Sequence, residues 1–107
     1  MFKFLANLFG KNGPSIGELL SQGAYIVDVR SSKEFKDAHG KDSTNIPLDS
    51  IQSKISTLTK QKKPIVTCCM SGMRSGRAVK ILRKAGIEAH NGGSWQSVEK
   101  ALTSKTE

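Results

Sequence analysis

Val66-Thr67-Cys68-Cys69-Met70-Ser71-Gly72-Met73-Arg74-Ser75-Gly76-Arg77 is the stretch that decides the fold of this chain. An apolar run of strand length ends in a cysteine, a tight loop follows, and a helix is expected from Ser75. A strand end, a loop of backbone amides and a helix N-terminus together form a ready anion site. Gly72 sits mid-loop, where a positive φ meets no Cβ clash. Ser75 is placed to cap the helix. A thiol at the base of such a site faces amides and the positive end of a helix dipole, which lowers its pKa and makes it a nucleophilic thiolate. Cys69 is therefore the candidate catalytic residue, and the amides of Met70, Ser71, Gly72, Met73 and Arg74 are its candidate cradle. Strand alternation points Cys68 the other way, so it reads as a buried structural cysteine. As a resolving thiol it would need a strained disulfide between neighbours.

Outward from the loop, strands and helices alternate. Ser15 to Gly23 reads as a short helix with a capping box at Ser15 and Glu18. Ala24 to Val29 is an apolar run suited to a buried parallel strand. Ser32 to Ala38 looks helical, and Asn45-Ile46-Pro47 extended. Leu48, Ile51, Ile55 and Leu58 recur at helical spacing and predict one amphipathic helix. After the strand Pro64 to Cys68, a helix from Ser75 to Ala85 places Ala78, Ile81, Leu82 and Ala85 inward. Ile87 to His90 is the last strand, and Trp95 to Leu102 the last helix. This α/β order predicts a parallel sheet with helices on both faces, and ligands at the carboxyl ends of its strands.

The bulk numbers narrow the partners. At 107 residues the chain fits one modest core. Seventeen Lys and Arg against nine Asp and Glu give a formal charge of +8, which favours anionic ligands. The basic residues are dispersed and not interleaved with aromatics, so nucleic acid is not the expected partner; Arg30, Arg74 and Arg77 are the ones placed near the candidate site. The two cysteines are adjacent and cannot staple distant segments, which suits a reducing compartment. Cysteines and histidines are too few and badly spaced for a metal ligand set, and no cofactor is implied. Residues 1–13 are expected to form an arm or short amphipathic helix, residues 14–103 the folded domain, and residues 104–107 a flexible tail. Packing of the arm on the domain is preferred over contact of residues 1–10 with a membrane surface.

The chain resembles the single-domain members of the rhodanese-like sulfurtransferase family from about Ser15 to Leu102. The resemblance is carried by Ile26-Val27-Asp28-Val29-Arg30, Glu34-Phe35, His39 and Asn45-Ile46-Pro47-Leu48, then by the loop Cys69 to Ser75 and by Gly92-Gly93-Ser94-Trp95. It implies a three-layer fold with a five-stranded parallel sheet. It also implies an active loop from Cys69 to Arg74, in which Cys69 accepts and donates sulfur, and Ser75 follows the loop. Asp28 and Arg30 would end a strand near the loop, Glu34 and Arg74 would be charge partners that fix it, and His39 would hold a turn. Arg77 supplies added positive charge or is simply solvated. Ala38, Gly40, Asp42 and Ser43 depart from the family pattern around His39. Met70 and Met73 stand where charged or polar side chains are usual, and methionine is an adaptable contact residue.

The expected function is a cytoplasmic, monomeric sulfurtransferase. It moves sulfane sulfur from thiosulfate or a persulfide donor, through a Cys69 persulfide, to cyanide, a thiol or a protein acceptor. One alternative is a persulfide relay module with little turnover of free substrates. Another is a phosphatase or arsenate reductase, whose loop is one residue longer and would count from Cys68. A third, nucleic-acid binding driven by charge alone, would lose affinity steeply with salt.

Overall fold

Serine caps and buried strands lay out the architecture. The computed structural model describes residues 13–104; of the arm expected over residues 1–13 and the tail expected over residues 104–107, all but Gly13 and Ser104 lie outside them. Helix α1 (Ile16–Ser21) starts in a full capping box, with the Ser15 hydroxyl accepting from Glu18 N–H and the Glu18 carboxylate accepting from Ser15 N–H. Ser31 and Glu34 repeat the device at α2 (Ser32–Asp37). Between them runs β1 (Tyr25–Asp28), followed later by β2 (Ser43–Asn45), β3 (Ile65–Cys69) and β4 (Ala89–Ser94). All pair in parallel, in the order β2-β1-β3-β4. The sheet therefore has four strands among the described residues, one fewer than the five expected. Every other described segment is helical, turn or loop.

The sheet divides two apolar layers. Val27, Val29, Ile65 and Cys69 face one layer, with Ile51, Leu58, Ala78, Val79 and Leu82. Ile26, Val66 and Cys68 face the other, with Leu19, Leu20 and Val98. The first is covered by α3 (Ile55–Thr59) and α4 (Met73–Lys84), the second by α1 and α5 (Trp95–Ser104). Cys68 and Cys69 thus sit on opposite faces, as a period of two requires.

Three element expectations are corrected. The single helix expected over Leu48–Leu58 is two 3-10 turns, Leu48–Ser50 and Gln52–Lys54, followed by α3. Serine side chains compete with the backbone there: Ser53 Oγ donates to Ser50 O at 2.8 Å. The last strand begins at Ala89 rather than Ile87, because Ile87 N–H still closes on Leu82 O at the end of α4. Ala85, expected inward, lies past the end of α4 and is exposed. No helix among the described residues is long and apolar enough to cross a membrane.

Candidate active site

β3 delivers Cys69 at its carboxyl end, and the chain turns through Met70, Ser71 and Gly72 into α4. Gly72 makes the turn at φ 103°, a region that an L side chain reaches only with strain. The nearest atom to a Cβ there would be Gly93 Cα at 3.5 Å, so the backbone angle and not crowding demands glycine.

Helix α4 starts two residues earlier than expected. Gly72 holds the capping position, and no side chain supplies a cap bond. Ser75, expected as the cap, is instead buried in the first turn. Two amides of this helix start go to sulfur. Gly72 N–H donates to Cys69 Sγ at 3.0 Å and Ser75 N–H at 3.4 Å, and Ser75 Oγ lies 3.4 Å from the same atom.

These donors set the thiol's acidity. Burial pushes Cys69 up, but the Ser75 hydroxyl and the amides of Ser75, Gly72 and Ser71 favour the thiolate more strongly, and the balance falls to about 7. Cys68, one peptide bond away, lacks such donors. Burial, reinforced by the Asp28 carboxylate, drives it up to about 12. The loop amides thus converge on Cys69, and the longer register counted from Cys68 is not favoured.

The remaining predicted residues fall into four groups. Arg74 reaches from α4 to α2, where Nη1 and Nη2 bind Glu34 Oε1 and Oε2 at 2.8 and 3.0 Å. Hydrogen bonds from Arg74 and from Ser31 N–H hold the Glu34 carboxyl down to about 2. Arg30 and Asp28 form a buried forked pair, with Arg30 Nη2 also donating to Ala38 O at 2.7 Å. The Arg30 guanidinium stands 5.1 Å from the Trp95 ring centroid, so it ties β1, the end of α2 and the start of α5 together. Arg77 is exposed on α4, and so are the loop side chains of Met70, Ser71 and Met73. His39 stacks on Phe35 and bonds its carbonyl at 2.7 Å. A cleft of about 310 Å³ lined by Val29, Ser31, Pro47, Leu48, Asp49 and Arg74 opens on one side of the loop. No group of His, Cys, Asp and Glu among the described residues could hold a metal ion.

Sequence reasoning passed over Asn91. Its side chain bonds the hydroxyl of Ser75 and the carbonyl of Gly72. The one available signal was its place as a polar residue at a strand end, directly before Gly92-Gly93.

Comparison with known proteins bears on the family and the fold. A family model described as a rhodanese-like domain matches residues 14–100. The uncharacterized protein YqhL of Bacillus subtilis is 36% identical over 63 residues, which are 59% of this chain and 49% of that protein, so the match spans about half its length. The thiosulfate sulfurtransferase PspE of Escherichia coli is 30% identical over 74 residues, covering 67% of this chain and 71% of PspE. Among solved structures, a rhodanese with anions from E. coli superposes with a TM-score of 0.64 at 27% identity, over 70% of this chain and 91% of that one.

Proposed function

The chain belongs to the rhodanese-like domain family, and from that premise we propose that it is a sulfurtransferase working through a persulfide on Cys69. The observation that carries this is the sulfur held under two amides, Gly72 N–H at 3.0 Å and Ser75 N–H at 3.4 Å, at the mouth of a helix. In the first half-reaction the Cys69 thiolate attacks the outer sulfur of thiosulfate. A new S–S bond forms as the bond to the sulfite sulfur breaks, and sulfite leaves with the electron pair. The terminal sulfur carries negative charge that the same donors stabilise. In the second, cyanide or a thiolate attacks that terminal sulfur, and Cys69 departs as a thiolate. The cycle is ping-pong and needs no metal. Two buried free thiols suit a reducing compartment such as the cytoplasm, with the chain acting as a monomer.

Mass spectra of the reduced protein after incubation with thiosulfate test the reading. One sulfur added to Cys69 and removed by cyanide is the expected result. A protein that gains no sulfur from thiosulfate or from a small persulfide donor overturns it.

A second reading, sulfur relay between proteins, is favoured by the rim of the loop. Met70 and Met73 are 50% and 72% exposed beside the buried thiol. The one loop cation, Arg74, is already paired with Glu34. Such a rim suits a protein-borne persulfide better than a free dianion. Relay predicts that a protein persulfide loads Cys69 faster than thiosulfate does at equal concentration.

A further inference from the structure

Asn91 sits where the β3–β4 ladder slips. Thr67 lies opposite Asn91, but Cys69 lies opposite Ser94, so β4 carries one extra residue at Gly92-Gly93. This bulge sets the Asn91 side chain against the start of α4. Its Nδ2 donates to Gly72 O at 2.9 Å, and its Oδ1 accepts from Gly93 N–H at 2.9 Å. A carbonyl on one side and an amide on the other leave the Asn91 side chain one orientation.

With that orientation set, Oδ1 faces Ser75 Oγ at 2.7 Å and can only accept. Ser75 has one hydroxyl proton and two claimants, Asn91 Oδ1 and Cys69 Sγ at 3.4 Å. When the proton points to Asn91, the serine lone pairs face the sulfur and accept from a thiol S–H. When it points to the sulfur, it stabilises a thiolate.

We propose that Asn91 is a positioning residue for Cys69: by accepting the Ser75 proton it holds that hydroxyl turned from the sulfur, and formation of the thiolate swings the hydroxyl over. The proton lost by Cys69 goes to solvent, Ser75 keeps its own, and only a hydrogen bond changes hands. Asn91 is not orphaned by the swing, because Gly93 N–H stays on Oδ1. The same amide grips Gly72 O, so the loop turn and the direction of the hydroxyl are set together. The ionisable groups that bear on Cys69 are Arg74 of α4, with its partner Glu34 of α2, and Cys68 of β3, which itself feels Asp28 and Arg30 of the β1 end. None of them shares a hydrogen bond with the Asn91 side chain, whose partners are Ser75, Gly72 and Gly93.

The proposal rests on the reading of Cys69 as the working nucleophile, but its test follows ionisation, whether or not sulfur is transferred. The ultraviolet absorbance of the Cys69 thiolate is titrated in the full chain, in Asn91→Ala and in Asn91→Asp, each with and without Ser75→Ala. Asn91→Ala frees the hydroxyl for the sulfur and lowers the midpoint by about half a pH unit. Asn91→Asp holds the proton harder and adds a negative charge, so the midpoint rises by at least as much. With Ser75→Ala, the Asn91→Ala shift vanishes and the Asn91→Asp rise shrinks to the effect of charge alone. A merely structural role moves both variants in one direction, and equally in both backgrounds. That result, or no shift in Asn91→Ala, overturns the proposal. Should Asn91→Ala fail to fold, the isosteric Asn91→Asp carries the test, and a rise unaltered by Ser75→Ala refutes it. Absence of a persulfide with these shifts intact would refute the sulfurtransferase reading and leave this one standing.

Discussion

Arg74 grips Glu34 with both terminal nitrogens across 40 residues of sequence, and so clamps the first turn of the helix that follows the loop to α2. Glu34 is also the reciprocal half of the Ser31 capping box. One carboxylate therefore starts a helix and restrains the loop that carries Cys69.

Glu34→Gln separates the two roles, since glutamine still completes a capping box. Both partners are about a third exposed, so losing the ion pair costs under about 1 kcal/mol and the melting temperature barely moves. Release of the Arg74 charge beside the loop lowers KM for thiosulfate; steady-state kinetics that leave KM unchanged refute this. Folding lowers the Glu34 carboxyl from 4.5 to about 2. Its stabilising contribution is thus complete above 4.5 and is lost as pH falls through 2.

Alkylation by iodoacetamide should rise with pH and reach half its plateau at about 7, with peptide mapping finding the label on Cys69 alone. Cys68, held at about 12, stays unmodified. Because folding lowers the Cys69 thiol from 9.0 to about 7, its contribution to stability is full above 9.0 and fades as pH drops through 7. Chemical denaturation at neutral and at alkaline pH measures that gain. Label on Cys68 at neutral pH would assign the two thiols the other way round.

Asp28→Ala leaves the Arg30 guanidinium, 3% exposed, without its carboxylate. Breaking one side of a buried pair costs about 3 to 5 kcal/mol. Urea denaturation should show it, and a shift under about 1 kcal/mol would mean that Ala38 O and Trp95 suffice to hold the cation.

Gly92→Ala tests the bulge. A methyl group there would lie 2.5 Å from Val98 Cγ2, 2.8 Å from Thr67 O and 2.9 Å from Val66 Cγ1. Overpacking of this kind costs about 1 to 3 kcal/mol, and thermal melting should register it. An unchanged melting temperature would mean that both α5 and the bulged end of β4 shift freely away from the methyl group and from β3.

The parts legible in the sequence are those with a strict period or a one-residue chemical signature. The alternation of Cys68 and Cys69 follows from the pleat alone, and Ser15 with Glu18 announces a helix start. The family pattern also pointed to Glu34 opposite Arg74. What failed is what depends on partners distant in sequence. Leu48, Ile51, Ile55 and Leu58 bury one stripe whether the backbone closes every three residues or every four, so periodicity did not separate 3-10 turns from one helix. Ser75 has a capping side chain, but a sulfur six residues earlier already takes the amides that a cap would satisfy. Asn91 acts only because a bulge in β4 brings it to α4; Gly92-Gly93 hints at the bulge but not at the partner it brings within reach.

The missing side-chain cap at α4 makes the sulfur an element of the secondary structure. By reciprocity, whatever binds to or leaves Cys69 alters the free energy of the first helical turn, and the order of that turn alters the affinity for what binds. The chemical state of Cys69 is therefore written into the thermal stability of the chain. Empty, loaded and alkylated forms should melt at different temperatures, and the exposed end of α4 broadcasts to the surface the state of an atom that solvent scarcely touches.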